Sequence, residues 1–404
     1  MNLETVPVNR EEFQRLVSPV PDRDKPRYSW HAFKHSYSKE LVDKIIDEFG
    51  IPEDGRVLDP FCGGGTTLLA CKERNLEAVG YDILPFSVFL SNVKTTDFEA
   101  EKLEKALSTF RVIRTSNELP DVKIVDKAFT PAVQETIMGI KTWIETLPNK
   151  KEAEFFLLAL LTTVDKVSRA TKSGGFLRIV KKSQTQNRTV NVFLETSRKM
   201  IEDVKKLPLK EKSGAKAHLG DARKIPKRGK YDAVITSPPY PNRHDYTRIY
   251  ALELLTAFTN SNKELKELRY RTLRSHVEAR ETIVAKGYSQ PQLLTYKLDE
   301  LGKRKMNNSQ IIPMLEGYFE DMYLVLKQIK RDLKKGGRAA LVVSNVRYEG
   351  VSIPVDEILA EIGVKAGLKN ASILKARDRG NSSQQMEKYS REPARESIIV
   401  WKNA

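Results

Sequence analysis

The stretch that decides the fold runs from Arg56 to Thr67, RVLDPFCGGGTT. Residues 56–60 read as a short strand, and three glycines follow at Gly63, Gly64 and Gly65. Residues 66–74 (TTLLACKER) then read as a helix, and residues 78–83 (AVGYDI) as a second strand. Strand, glycine loop, helix and a strand ending in an acid make the first half of a doubly wound α/β sheet. The glycines let the backbone pass close to a ligand without Cβ clashes. The helix behind them points its N-terminal N–H groups at the same spot.

Two acids flank this loop. Asp59 ends the first strand, and Asp82 ends the next one 23 residues later, where a carboxylate can accept hydrogen bonds from ribose hydroxyls. No Gly-Lys-Ser or Gly-Lys-Thr follows the glycines, so this is not a triphosphate-cradling loop. An acid at the head of the loop repels a pyrophosphate and suits a ligand carrying an ammonium or sulfonium. The pattern therefore points away from NAD and towards S-adenosylmethionine.

Upstream, Leu41, Ile45 and Phe49 share one face of a helix predicted from Lys39 to Phe49, with Ser38 as its N-cap. Downstream, strands recur at 217–219, 231–236, 339–343, 371–375 and 397–401. A long amphipathic helix runs through Phe319, Met322, Leu326, Ile329 and Leu333, and Gly336-Gly337 reads as its stop signal. Between these parts the pattern turns helical, at 131–146, 152–169 and 191–206, and again over a charged stretch from 241 to 312. The expected division is a flexible segment over 1–28, a cofactor-binding half over 29–99, and a helical insertion over 100–212. A catalytic half over 213–255, a second helical insertion over 256–312 and the rest of the sheet over 313–404 complete it.

Residues 231–240, YDAVITSPPY, drive an apolar strand straight into two prolines. Neither proline donates a backbone N–H, so the corner is rigid and sits at the carboxyl end of a strand, where such sheets bind ligands. Ser237 offers a hydroxyl acceptor, Pro238 a backbone carbonyl and Tyr240 a flat aromatic face, with Pro239 stiffening the turn. That set suits a planar base with an exocyclic amine, held by two acceptors and stacked on the ring.

With these motifs in register, the sequence resembles the amino-group DNA methyltransferases that use S-adenosylmethionine. Residues 59–67 resemble their cofactor loop, with Asp59, Pro60, Phe61, Gly63 and Gly65 as its contacts. Residues 237–240 (SPPY) resemble their catalytic motif, in the form typical of cytosine-N4 enzymes; adenine-N6 enzymes usually carry Asp or Asn in place of the serine. Gly220-Asp221 resembles the motif whose acid meets the cofactor adenine. Phe33 to Ser38 resembles the segment that closes over the methionine end. The implied fold is a doubly wound, mostly parallel sheet of the Rossmann-like methyltransferase type with helical insertions. The implied activity is methyl transfer to cytosine N4 in double-stranded DNA. Adenine-N6 methylation, an RNA base methyltransferase and a non-catalytic nucleic-acid binder are the alternatives. A cognate restriction endonuclease acting on the same site is the further partner. The cofactor loop precedes the catalytic motif, yet the large insertion between them fits no simple class and leaves the target-recognition region unassigned.

Composition agrees with such a partner. Lys and Arg number 69 against 53 Asp and Glu, a net charge of +16 over 404 residues, which favours a polyanion or a lysine-rich solvated surface. Residues 166–188 hold seven positive charges and no acid, so Lys172, Arg178, Lys181 and Lys182 are candidate DNA contacts, against a solvated face as the alternative. The loop from Arg377 to Arg395 is a second candidate. Two cysteines and five histidines show no metal-ligand spacing, and Cys62 reads as a packing residue rather than a nucleophile. No apolar run approaches the roughly 20 residues of a membrane helix, and a cytoplasmic location is expected.

Overall fold

The structure, a computed structural model, describes residues 4–6, 10–209, 214–379, 389 and 392–404. The strands in chain order are β1 (Glu4–Val6), β2 (Arg56–Asp59), β3 (Glu77–Asp82), β4 (Ala170–Ser173), β5 (Phe176–Ile179), β6 (Ala215–Leu219) and β7 (Tyr231–Thr236). After them come β8 (Leu333–Ser344), β9 (Val346–Tyr348), β10 (Val351–Ile353), β11 (Lys369–Arg379) and β12 (Ala394–Lys402). Eight of them form one sheet in the order β1-β11-β12-β8-β7-β2-β3-β6. Strands β6, β3, β2, β7 and β8 run parallel, and β12 runs antiparallel between β8 and β11. This is the doubly wound, mostly parallel sheet expected from the sequence.

Both faces of the sheet are covered, and the period-2 alternation of its strands assigns the residues to each. Leu58, Val79, Val234, Leu341 and Val343 join the core under the long helix Ile311–Asp332. Their neighbours Val57, Ala78, Ile235, Ala340 and Val342 face the opposite core, shared with the helices Lys39–Phe49 and Thr66–Glu73. From β2 the chain proceeds to β3 and β6 on one side, and later to β7 and β8 on the other. The reversal falls between β2 and β7, so their carboxyl ends open a crevice at that point.

The helices Pro131–Glu145, Lys150–Val167 and Gln186–Lys206 bury Trp143, Phe155, Phe156 and Phe193 in a further core, which they share with Trp30, Phe86, Leu90 and Tyr250. A hairpin of β4 and β5 lies between the last two of these helices, in a stretch to which the sequence pattern assigns no strand.

Two expectations are corrected. Residues 1–28 are not loose where described: β1 extends the sheet edge beside β11, and Phe13 and Val17 are buried against Leu41 and Val42. Two charges of this segment are partnered inside the protein. Asp22 accepts from the Lys39 backbone N–H at 2.8 Å, and the buried Arg27 guanidinium donates to the carbonyls of Lys94, Thr96 and Leu207. Gly336-Gly337 does not cap the long helix, which ends at Asp332 with Leu333 already extended. The glycines instead shape the start of β8, where Gly336 takes φ +81° and donates its N–H to the Asn403 carbonyl.

A Cβ at Gly363 would collide with the fully buried Trp401 indole, whose Nε1 donates to the Ala360 carbonyl at 3.2 Å. Gly363→Ala should therefore lower stability by about 1–3 kcal/mol despite its gain in helix propensity. Urea denaturation is the check, and an unchanged midpoint would contradict this packing.

Candidate active site

The crevice between β2 and β7 is lined by residues from the predicted motifs: Pro60, Phe61, Gly63, Asp82, Gly220, Asp221, Ser237 and Pro239. The loop after β2 is tied down by its backbone. Cys62 donates to the Tyr81 carbonyl at 2.9 Å, and Gly65 to that of Cys62 at 2.7 Å. Gly63 and Gly65 lie at φ +46° and +78°, where a side chain is strained. A Cβ at Gly63 would come within 2.8 Å of the Phe33 ring, and one at Gly64 within 2.8 Å of the Phe33 Cβ, so only glycine lets the strap from Phe33 to Tyr37 lie this close.

Asp82 clamps the loop from the next strand. Its carboxylate accepts from Gly63 N–H at 3.0 Å and Leu84 N–H at 2.9 Å while lining the crevice. Asp221 also lines it, held by the buried Arg223 through Nε at 3.0 Å and Nη2 at 2.8 Å. Arg223 is in turn ion-paired to the buried Asp321 at 3.2 Å.

Asp59 lies below the crevice floor rather than in it. It is 2% exposed and accepts from the Thr236 hydroxyl at 2.6 Å and Phe61 N–H at 3.1 Å. Burial pushes its carboxyl up to about 6, against the hydrogen bonds that favour the charged form. The expected contact with the methionine end is therefore replaced by a structural tie between loop and catalytic strand. Gly65 sits behind the loop as N-cap of the helix Thr66–Glu73. Ser38 is likewise not in the crevice: its Oγ caps Leu41 N–H and donates to the Leu16 carbonyl. Ser36, two residues earlier, lines it instead.

At the proline corner Ser237 faces the crevice, and its Oγ donates to the Val342 carbonyl at 3.0 Å. Tyr240 is only 5% exposed, with its hydroxyl donating to Glu396 at 3.2 Å, so its ring is not the open stacking face expected. Pro238 is buried beside it. Several other lining residues belong to no motif, among them His244, Tyr246, Thr272 and His276. The last two lie in the second insertion, which carries no motif. Lys94 was missed as well: its ammonium is buried, bonds the carbonyls of Tyr28 and Gly64, and is lowered by desolvation to about 8.

Among the candidate DNA contacts, Arg178 and Lys181 are exposed. Lys182 is half-buried and bonds the Lys166 carbonyl. Lys172 is no surface cation: its ammonium pairs with Glu253 at 2.6 Å and Asp165 at 2.9 Å and lies 4.7 Å from the Tyr250 ring centre. His31, Asp165 and Glu253 bring ligand-type atoms within 4.8 Å of one another, and the Lys172 ammonium already lies among them. Gly380–Gln385, from the second candidate loop, lie outside the described residues.

The DNA methylase family model matches residues 8–91, which include the glycine loop and Asp82. The chain is 31% identical to the Type II methyltransferase M.BsoBI of Geobacillus stearothermophilus, over 97% of this chain and 88% of that one. The protein belongs to the DNA methylase family. The Type II methyltransferase M.AvaI of a Nostoc species is 29% identical over 96% of this methylase and 89% of its own length. M.MvaI of Kocuria varians is 25% identical over 81% and 80%. The cofactor of the methylase is S-adenosylmethionine, and the crevice fits it. Its wall carries the backbone of Gly63 and Gly64 beside the Phe33 strap, and the carboxylates of Asp82 and Asp221 line the same space, a donor set suited to ribose hydroxyls and an adenine amine. No helix among the described residues is long and apolar enough to cross a membrane.

The folded Asp59 carboxyl, with a pKa near 6, holds its proton more tightly than the unfolded chain does. Its contribution to stability is full below about pH 4 and is lost as pH rises through the folded value. Without cofactor, the protein should therefore lose on the order of 2 kcal/mol relative to Asp59→Asn between about pH 4.5 and 7.5. Denaturation curves at the two pH values give the comparison, and a constant difference would refute it.

Proposed function

We propose that the protein is a site-specific DNA methyltransferase acting on the exocyclic N4 of cytosine, as the modifying half of a restriction–modification pair in the cytoplasm. The observation that carries this reading is Ser237, a neutral hydroxyl at the head of the proline corner, facing the same crevice as Asp82 and Asp221. The resemblance of SPPY to cytosine-N4 enzymes supports the base, and the DNA methylase family match, together with the Type II methyltransferase relatives, supports the DNA substrate.

Bound S-adenosylmethionine supplies an electrophilic methyl group. Gly63, Gly64 and Asp82 would hold it beneath the Phe33 strap, with Asp221 towards its adenine. The target amine is a weak nucleophile because its lone pair is delocalised into the ring. Ser237 Oγ and the Pro238 carbonyl accept its two hydrogens and draw the nitrogen towards tetrahedral geometry, freeing the lone pair for direct displacement of the methyl group from sulfur, which keeps the bonding electrons; the methylated nitrogen then releases one of the two hydrogens as a proton to solvent. No residue forms a covalent bond to the base. Cys62 is buried under the loop, and burial raises its thiol pKa well above the ordinary value, so it is no nucleophile. The acceleration comes from positioning and from acceptors fixed in place.

Mass spectrometry of nucleosides from DNA treated with the purified protein should find N4-methylcytosine. N6-methyladenine alone would overturn the base assignment, and 5-methylcytosine the mechanism. Ser237→Ala should lose roughly 100-fold or more in turnover while S-adenosylmethionine affinity, measured by calorimetry, stays the same.

The exposed cations Arg178 and Lys181 of the β5 region are proposed phosphate contacts. Replacing both with Ala should reduce the slope of log K against log salt by up to about 0.9 per lost contact. An unchanged slope would make them solvated surface. Lys172→Ala should instead destabilise the fold, because it strips a buried Glu253 of its ammonium.

A further inference from the structure

A hydroxyl carries one hydrogen and two acceptor lone pairs, so the partners of Ser237 decide what it offers to a substrate. Its Oγ lies 3.0 Å from the Val342 carbonyl and 3.3 Å from the Tyr240 hydroxyl oxygen. The carbonyl only accepts. The phenol can do either, and a phenol donating to Ser237 would occupy a lone pair that the target amine needs. The Tyr240 hydroxyl, however, also lies 3.2 Å from Glu396, whose carboxylate is 2% exposed and only accepts. Arg377, opposite Glu396 in the register of β11 and β12, pairs with the other carboxylate oxygen. With the phenol hydrogen committed to Glu396, Ser237 gives its own hydrogen to Val342 or to Tyr240. In either case its oxygen accepts nothing from these neighbours.

We propose that Glu396 is a positioning residue for the methyl transfer: by holding the Tyr240 hydrogen it keeps both lone pairs of Ser237 available to the exocyclic amine. This rests on the reading of Ser237 as the amine acceptor. Neither the ion pair nor Tyr240's hydroxyl touches the reacting atoms; they act through the orientation of one hydrogen. The role also accounts for a buried carboxylate at the carboxyl side of the sheet that does not line the crevice.

The test is a double-mutant cycle read by transfer of labelled methyl groups to plasmid DNA under single-turnover conditions. Glu396→Gln can donate from its amide, which lets the Tyr240 hydrogen turn towards Ser237. The rate should fall about tenfold, with S-adenosylmethionine affinity unchanged by calorimetry. Tyr240→Phe removes the competing hydrogen and should change the rate less than about threefold. The combined variant should match Tyr240→Phe, so that losing the phenol rescues the loss of the carboxylate. A merely structural Glu396 predicts a double variant slower than either single one, and that result would overturn the proposal. So would a Glu396→Gln enzyme with the native rate. Should Glu396→Gln fail to bind S-adenosylmethionine, Glu396→Asp, which withdraws the carboxylate from Tyr240, carries the same comparison. Failure of the native enzyme to methylate the plasmid would count against the proposed function itself, whereas the cycle compares variants of an active enzyme.

Discussion

One buried hydrogen bond holds the two halves of the site in register. Asp59 at the end of β2 accepts from the Thr236 hydroxyl at the end of β7, at 2.6 Å, across the point where the sheet reverses direction. The same carboxylate takes the Phe61 N–H at the start of the glycine loop. The Tyr37 hydroxyl, at 3.4 Å, connects the strap to it. Cofactor loop, catalytic strand and strap thus meet at a single acid excluded from water. Residue 237, the next along the chain, is aimed by this contact before any ligand arrives. The cost is electrostatic: the acid binds a proton more readily than usual, and a cation in the crevice above would relieve that.

Much of this was legible in the sequence, and the physical reasons are local. Strand, glycine loop and acid follow from period, φ freedom and strand ends, none of which needs distant contacts. Ser237 could be read because two prolines fix its neighbourhood by themselves. Ser38, by contrast, reads correctly as a helix cap, yet the cap turns its hydroxyl to the backbone of Leu41 and Leu16 and buries it away from the crevice. Lys172 looked like one basic residue among seven, but its acids, Asp165 and Glu253, come from different elements, and Glu253 is far along the chain. Tyr240 shows the same limit: its partner Glu396 is 156 positions away, on a strand added at the opposite end of the chain.

The polar groups around the site follow one pattern. Asp221 is oriented by Arg223, Arg223 by Asp321, Tyr240 by Glu396, and Glu396 by Arg377. Asp221 faces the crevice backed by Arg223, and Ser237 faces it backed by Tyr240 and Glu396, none of which lines it. Buried charges are tolerable in such chains because every member has a partner, and a chain fixes a rotor more firmly than any one contact.

The aromatic stack over the loop has a consequence for how such proteins diversify. Phe33 of the strap stacks on Tyr250 at 4.8 Å and 14°, and Tyr246 lies parallel to both. Lys172 of β4 then joins Tyr250 and Glu253 to the helical part, and Lys34 reaches the Gly174 carbonyl at the tip of its hairpin. The hairpin is therefore grafted onto the roof of the cofactor site, not hung from it by a linker. A chimera that exchanged the helical part alone between relatives would inherit a hairpin cut for another roof. The unit of exchange is wider, and takes residues 31–36 and 243–253 with it.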